Sequence, residues 1–139
     1  PARPGLALSL NSPFHEQRSE LMPANRRWPL AEVLDACEQY GARTGRRVTL
    51  EYVLLGGVNT SPETAHAVAE IARRLGARVN LIAFNPVEGC RLEPPRRVEL
   101  REFRGVLESR GVTVTARYRR GRDISAGCGQ LAGRRGGTK

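Results

Sequence analysis

The sequence predicts an α/β fold built on a parallel sheet, and three observations support this. Short apolar runs alternate with amphipathic helical patterns along the 139 residues. The runs recur at roughly the 30-residue length of a β-α-β unit. The second and third runs are almost continuously apolar, which is typical of strands covered on both faces. Three main helices and four strands are too few to close a barrel, so the pattern indicates a small open sheet or part of a larger fold.

The first strand is predicted at 6–10, where the sequence reads LALSL. The polar loop at 11–29 is long for a compact domain, and 16–21 within it is a candidate for a short helix. The first full helix is expected at 29–42. Its inward face repeats at helical spacing through Leu30, Val33, Leu34, Cys37 and Tyr40. Cys37 is therefore predicted to be a core residue.

The second strand is predicted at 47–55 and ends at a Gly-Gly pair. Ser61 then has the character of a helix N-cap, with Pro62 at the first helical position and an acid after it. Gly76 is expected to close this helix as a C-terminal glycine. Its buried stripe is predicted to be Ala65, Val68, Ala69, Ala72 and Leu75.

The remaining elements follow the same rhythm. A buried strand at 78–84 is stopped by Asn85-Pro86, and a helix is expected at 97–109. The last strand, 112–118, alternates strictly, which predicts one covered and one exposed face. The covered set would be Val112, Val114, Ala116 and Tyr118, against Thr113, Thr115 and Arg117. The basic, glycine-rich residues 134–139 are expected to be a disordered tail.

The charge of the chain indicates its partner. The net charge is +9, and Lys139 is the one lysine among the 23 basic residues. Guanidinium groups bind phosphate bidentately and stack on bases, so this excess favours a nucleic acid. No apolar run is long enough for a membrane span, and residues 1–5 carry no apolar signal segment. Because the chain begins at Pro1 rather than Met, we expect it to be a fragment.

The three cysteines, Cys37, Cys90 and Cys128, are odd in number and far apart. This pattern favours reduced thiols in a cytoplasm. None of them are at CxxC spacing, so the chain by itself is not expected to hold a zinc ion or an iron–sulfur cluster.

Polar residues follow three of the predicted strands. Ser9-Leu10-Asn11, residues 56–59, and Asn85 each come directly after a strand. Ligands of parallel α/β folds bind at the carboxyl ends of the strands. Each site alone could be a simple turn, but Asn11 and Asn85 at one rim favour a binding site.

The segment around Cys128 indicates chemistry. The cysteine stands between Gly127 and Gly129, and four arginines precede it: Arg117, Arg119, Arg120 and Arg122. Glycines let the backbone bend and approach other groups closely. Neighbouring positive charge favours the thiolate. A reactive thiol in a basic setting is therefore predicted.

Five segments resemble the RlmN/Cfr family of radical S-adenosylmethionine RNA methyltransferases. They are LALSLN (6–11), LMPAN (21–25), RRVTLEYVLLGGVN (46–59), RVNLIAFNP (78–86) and RGRDISAGCGQLAG (120–133). They occur in the family's order and spacing, and the last is the most specific. The resemblance implies the C-terminal half of such an enzyme, with a partial (β/α) barrel. Residues 1–95 would be its last three β/α units, 96–133 a C-terminal helix, strand and cysteine loop, and 134–139 the tail.

The resemblance also implies an activity. The family methylates C2, or in some members C8, of an adenosine in 23S rRNA, and some members act on tRNA as well. One S-adenosylmethionine methylates a loop cysteine, and a second is cleaved by a [4Fe–4S] cluster to start radical chemistry. The CxxxCxxC cluster ligands and a second, resolving cysteine would lie in the missing N-terminal half. The chain alone is thus expected to be inactive, and the whole enzyme to be a cytoplasmic monomer.

The family's functional residues fall on specific positions here. Cys128 matches the methyl-carrying cysteine. Ser9, Leu10 and Asn11 match the cofactor-contacting Ser-Leu-His motif, with Asn at the position of His. Asn85 matches the asparagine of a Phe-Asn-Pro motif. The four arginines Arg117, Arg119, Arg120 and Arg122 would hold RNA phosphates.

Two other functions remain open from the sequence. One is a non-catalytic, basic α/β domain that binds RNA. The other is a thiol-dependent enzyme of a different kind, which would need a base near its cysteine. Neither His15, in the long loop, nor His66, which is expected on a helix surface, is placed to serve as that base.

Overall fold

The computed structural model describes residues 5–85 and 91–118. The strands are β1 (Leu6–Ser9), β2 (Val48–Leu54), β3 (Arg78–Ala83) and β4 (Val114–Tyr118). The helices are α1 (His15–Leu21), α2 (Leu30–Thr44), α3 (Pro62–Leu75) and α4 (Arg97–Ser109), and a 3₁₀-helix spans Pro23–Arg26. The predicted order of elements is confirmed. The short helix in the long loop is present, but the 3₁₀-helix after it was not predicted.

The four strands form one parallel sheet in the order β1-β2-β3-β4. Each strand thus pairs with its neighbour in sequence. Because crossovers between parallel strands are right-handed, a sequential order places all connecting helices on one face of the sheet. This is the winding of a (β/α) barrel, and the predicted fold class, a partial barrel, is confirmed.

The hydrophobic core lies between the sheet and the helices. The β2 residues Val48, Leu50, Tyr52 and Leu54 are buried there with residues of α2, α3 and α4. The ring centroids of Tyr52 and Phe103 are 5.0 Å apart in a stacked arrangement. Cys37 is buried in this cluster, as predicted. Burial also raises the pKa of the Tyr52 hydroxyl, whose proton is donated to the main-chain oxygen of Asn59 at 2.9 Å.

The helix boundaries follow local sequence signals. The Ser61 hydroxyl accepts a hydrogen bond from the N–H of Thr64 at 3.1 Å, and Pro62 is the first residue of α3. Gly76 ends the helix with φ at 63°, a left-handed conformation that glycine adopts without a steric cost. Both signals were predicted from sequence.

Two predictions about strand faces were wrong. We expected β2 to be covered on both faces, but Thr49, Glu51 and Val53 are only partly buried. They point away from the helices, to the opposite face of the sheet, the open face, which the described residues cover only in part. Ala116 of β4 was expected to be covered, yet it is exposed. β4 is an edge strand in the described sheet, so Ala116 is flanked by a neighbour on one side alone.

A second, smaller apolar cluster lies at the carboxyl end of the sheet and contains Leu55, Phe84 and Leu92. Gly56 lies against the main chain of Pro94 there, and a side chain at position 56 would collide with its carbonyl oxygen. Within the described ranges, no helix is long and apolar enough to cross a bilayer.

Candidate cofactor site at the carboxyl edge of the sheet

The candidate site lies where β1, β2 and β3 end. All three strands are parallel, so the segments that follow them meet at one edge of the sheet. Ser9 is the last residue of β1, and Asn11 lies two residues after it. Asn85 lies two residues after the end of β3. With two strand spacings between β1 and β3, the two sets are about 10 Å apart. This distance suits a ligand that spans the end of β2.

Ser9 and Leu10 contribute differently. The Ser9 side chain is exposed and lies on the open face of the sheet, in register with Glu51 of β2. Leu10 is fully buried in the core. Its N–H donates to the Glu51 carbonyl at 2.9 Å, and its own carbonyl accepts from Arg18. Of the two, Ser9 is therefore the residue with a side chain available to a ligand.

Asn11 turns the chain at the end of β1. Its φ is 56°, a conformation that asparagine adopts more readily than most residues. The Oδ1 atom accepts from the N–H of Val53 at 2.9 Å. The Nδ2 atom is 3.5 Å from the thioether sulfur of Met22, which is a weak acceptor. The Asn11 amide is thus fixed by its oxygen and retains N–H groups for a ligand.

Asn59 joins β1 to β2 from inside the protein. It is fully buried, and its Nδ2 donates to the carbonyls of Asn11 at 2.9 Å and Val53 at 2.8 Å. Its Oδ1 accepts from the N–H of Leu55 at 2.8 Å. The polar segment 56–59 was predicted at this rim, but the specific role of Asn59 was not. A lone asparagine after a Gly-Gly turn gives no sequence signal that separates it from an ordinary loop residue.

A buried arginine supports the same turn. Arg18 of α1 is 4% exposed. Its Nε and one terminal nitrogen donate to the carbonyls of Leu10 at 3.0 Å and Ser9 at 2.9 Å. The other terminal nitrogen donates to Oδ1 of Asn25 at 2.5 Å. Burial lowers the pKa of Arg18, and the nearby Cys37 thiol opposes this effect. The burial of Arg18 was not predicted from sequence, because arginines are seldom buried.

Asn25 completes this support. It is buried, and its Nδ2 donates to the carbonyl of His15 at 3.2 Å and to the Ser19 hydroxyl at 2.7 Å. The Arg18–Asn25 pair therefore fixes α1 and the 3₁₀-helix to the end of β1.

Asn85 is exposed at the same edge. It follows Phe84, which is buried and whose N–H donates to the carbonyl of Leu54 at 3.3 Å. The main chain is thus held by the sheet up to the residue before Asn85, while the Asn85 side chain faces solvent.

A polar row crosses the open face of the sheet beside the site. Ser9, Glu51, Asn80 and Thr115 are register partners across all four strands. The Thr115 hydroxyl donates to Oδ1 of Asn80 at 3.1 Å. The alternation of residues 112–118 predicted Thr115 on an exposed face, but the row depends on strand register, which that alternation does not give. Arg117 lies on the same face, in register with Ile82, and is exposed.

Glu99 anchors the loop after β2. Its carboxylate accepts from the N–H groups of Arg96 at 2.7 Å and Gly57 at 3.0 Å, and from the Thr60 hydroxyl. Burial by itself would raise the pKa of Glu99, but these hydrogen bonds outweigh it and lower the pKa to about 2. The loop that carries Asn59 is therefore fixed to the N-terminus of α4.

Several predicted site residues lie outside the described residues. These are Cys128, Arg119, Arg120 and Arg122, together with Cys90 and the tail 134–139. Of the predicted site residues that are described, the structure brings Ser9, Asn11 and Asn85 to one edge of the sheet.

The described residues fit one of the two expected cofactors. Among them, no three His, Cys, Asp or Glu side chains converge as metal ligands. Cys37 is buried, and burial raises the pKa of its thiol against the opposing effect of Arg18. An iron–sulfur cluster therefore has no ligand set within 5–85 and 91–118. In contrast, the hydroxyl of Ser9 and the amides of Asn11 and Asn85 suit the hydroxyl, amino and carboxylate groups of S-adenosylmethionine.

Comparisons with known proteins place the chain in a family. It is 48% identical over 127 residues to the dual-specificity RNA methyltransferase RlmN of Anaeromyxobacter dehalogenans, covering 91% of this chain and 34% of that protein. It is 47% identical over 136 residues to the probable RlmN of Parasynechococcus marenigrum, covering 96% of this chain and 39% of that protein. The chain thus spans between a third and two fifths of the length of these relatives. No family model matches it.

Solved structures agree with this relationship. A radical SAM methyltransferase from Sphaerobacter thermophilus superposes with a TM-score of 0.81 at 45% identity, over 94% of this chain and 38% of that one. A domain of pyruvate-formate lyase-activating enzyme from Bacteroides vulgatus has a TM-score of 0.65 at 17% identity, which shows a shared fold. The chain therefore belongs to the RlmN/Cfr family of radical S-adenosylmethionine methyltransferases.

Proposed function

We propose that this chain is the C-terminal part of an enzyme that methylates C2 of an adenosine in 23S rRNA, with tRNA as a second substrate. The observation that carries the proposal is the edge formed by Ser9, Asn11 and Asn85. These side chains keep polar groups free at the carboxyl ends of parallel strands, where such folds bind ligands. The names of the relatives support an RNA substrate.

In this proposal the three polar side chains bind S-adenosylmethionine. Ser9 and the Nδ2 atom of Asn11 contact it from the β1 side, and Asn85 contacts it from the β3 side. Leu10 supports cofactor binding without a side-chain contact, because its buried side chain fixes the main chain between Ser9 and Asn11. Positioned donors of this kind keep a ligand in one orientation, which accelerates a reaction by lowering its entropic cost.

One S-adenosylmethionine would supply the methyl group, and a second, with a [4Fe–4S] cluster held elsewhere in the enzyme, would supply a carbon-centred radical. Cys128 carries the methyl group to the adenine. Its neighbours in sequence are glycines, whose conformational freedom would let the cysteine reach both the cofactor and the RNA. Arg117, Arg119, Arg120 and Arg122 neutralise RNA phosphates and favour the thiolate of Cys128.

The test uses the complete enzyme with its cluster reconstituted under anaerobic conditions. The RNA product is digested to nucleosides, and 2-methyladenosine is measured by mass spectrometry. We expect Cys128→Ala to abolish methylation and Cys90→Ala, the matched cysteine control, to retain it. Ser9→Ala and Asn85→Ala should weaken S-adenosylmethionine binding in the absence of RNA. Methylation that survives Cys128→Ala would refute the proposed role of this residue.

The alternative of a non-catalytic RNA-binding domain predicts a different result. RNA binding would persist in every variant, and no 2-methyladenosine or 5′-deoxyadenosine would form with the wild-type enzyme. For the isolated 139-residue chain, we expect no cluster absorbance and no 5′-deoxyadenosine. A stoichiometric cluster on this chain would contradict its assignment as one part of the enzyme.

A further inference from the structure

An exposed aromatic residue lies at the same edge of the sheet as the candidate site. Trp28 is 56% exposed, the highest value among the large apolar side chains that the structure describes. It is the one tryptophan of the chain. It lies two residues before α2. Because α2 leads from the carboxyl end of β1 back to the start of β2, its first residues, and Trp28 before them, lie near the carboxyl edge of the sheet.

One arginine lies over this ring, and a second precedes it in sequence. The guanidinium carbon of Arg27 is 5.2 Å from the centroid of the Trp28 ring, which is within the range of a cation–π contact. Arg26 and Arg27 are both exposed. Neither forms an ion pair with a carboxylate among the described residues. The segment therefore presents a large aromatic face beside two uncompensated positive charges.

The segment is held in place. The N–H groups of Arg27 and Trp28 both donate to the carbonyl of Ala24, at 3.1 and 3.0 Å. Asn25, within the same 3₁₀-helix, binds Arg18, and Arg18 binds the carbonyls of Ser9 and Leu10. A continuous set of hydrogen bonds thus connects the Trp28 segment to the candidate cofactor site. The main chain that carries Trp28 is therefore tied to the turn at the end of β1.

We propose that Arg27 and Trp28 form a stacking platform for an unpaired base of the RNA substrate. An exposed aromatic face beside positive charge is an arrangement by which proteins bind single-stranded nucleic acid, because every base has a π face and every nucleotide a phosphate. The base stacks on Trp28, and Arg26 and Arg27 contact the neighbouring phosphates. The inference rests on the proposed function and adds a second RNA contact to it, apart from the arginines near Cys128.

The experiment measures RNA affinity of the complete enzyme by equilibrium titration with a fluorescently labelled substrate RNA. We expect Trp28→Ala to raise Kd roughly five- to hundredfold, the range for loss of one aromatic stacking contact. Trp28→Phe, which retains an aromatic face, should recover most of the affinity. Arg27→Gln should weaken binding more than Arg73→Gln, which removes one exposed positive charge from the last turn of α3 at the opposite edge of the sheet.

Two controls separate the possible outcomes. S-adenosylmethionine binding without RNA should be unchanged in Trp28→Ala, because in this proposal the ring contacts RNA and not the cofactor. If Trp28→Ala lowers Tm while RNA affinity stays at the wild-type value, the ring packs on another part of the enzyme and the platform is refuted. If the wild-type enzyme does not bind RNA at all, the proposed function fails together with the platform. If the wild-type enzyme binds and methylates RNA, and Trp28→Ala binds RNA with the same affinity, the platform is refuted while the proposed function stands.

Discussion

The amide of Asn59 donates a hydrogen bond to the main-chain oxygen of Asn11 at 2.9 Å, and these two residues are 48 positions apart in sequence. The bond holds Asn11 in its left-handed conformation, with φ at 56°. In turn, the Asn11 side chain accepts from Val53. The turn that carries the candidate cofactor-binding residues is therefore maintained by Asn59, a buried residue that does not itself face the cofactor.

Replacement of Asn59 should affect both stability and the site. Asn59→Ala leaves the buried N–H of Leu55 and the carbonyls of Asn11 and Val53 without their partner. A buried polar group that loses its hydrogen bond costs about 1–3 kcal/mol, so we expect a destabilisation of about 3 kcal/mol. Urea denaturation measures it. Asn85→Ala is the matched control, since this exposed side chain should change stability by less than about 0.5 kcal/mol.

Two substitutions at Asn11 separate conformation from ligand contact. Asn11→Gly tolerates the positive φ, whereas Asn11→Ala adds the steric cost of a β-carbon, about 1 kcal/mol or more. The alanine variant should therefore be the less stable of the two in denaturant titrations. Both remove the amide and should weaken S-adenosylmethionine binding to a similar extent in calorimetry. Unchanged binding in the glycine variant would show that Asn11 has a turn role alone.

The local features of this fold were predictable from sequence. Ser61 and Gly76 mark the ends of α3 through the backbone chemistry of their own positions. Cys37 falls on the buried stripe of α2 because helical spacing fixes that face. Such signals need no knowledge of distant residues. The resemblance to a known family then predicted Ser9, Asn11 and Asn85 as candidate site residues, and this assignment stays a prediction.

The features that were not predicted depend on contacts between distant residues. The half-open face of β2 was mistaken for a covered one because its apolar run conceals the alternation, although Glu51 stands in the middle of it. Arg18 has the composition of a surface residue, and its burial follows from the position of α1 against the end of β1. Asn59 shows its role only when β1 and β2 are side by side.

Arg18 is expected to act as a positioning residue for the cofactor. Arg18→Lys retains a positive charge but cannot donate to Ser9, Leu10 and Asn25 together. We expect S-adenosylmethionine affinity to fall roughly tenfold, equivalent to about 1.4 kcal/mol, measured by calorimetry on the complete enzyme. Arg43→Lys, an exposed position on α2, is the control and should leave the affinity unchanged. A lysine variant with a lower Tm but wild-type affinity would assign Arg18 a structural role only.

Glu99 should make the stability of the protein depend on pH in the acid range. Its pKa is lowered from 4.5 to about 2 in the folded chain, so the folded state favours the carboxylate. The stabilisation is fully present above about pH 4.5 and is lost as the pH falls toward 2, because the carboxylate must then be protonated. The shift corresponds to about 3 kcal/mol at most.

The matched pair for this prediction lies on one helix. Glu99→Gln should lower the free energy of unfolding at pH 7 and flatten its decline between pH 4.5 and pH 2. Glu102→Gln, which removes an exposed carboxylate from α4, should keep the wild-type profile. Urea titrations at a series of pH values measure both. The prediction is wrong if Glu99→Gln loses stability on acidification as steeply as the wild type. Other carboxylates would then cause the acid sensitivity, and not the one that accepts hydrogen bonds from Arg96, Gly57 and Thr60.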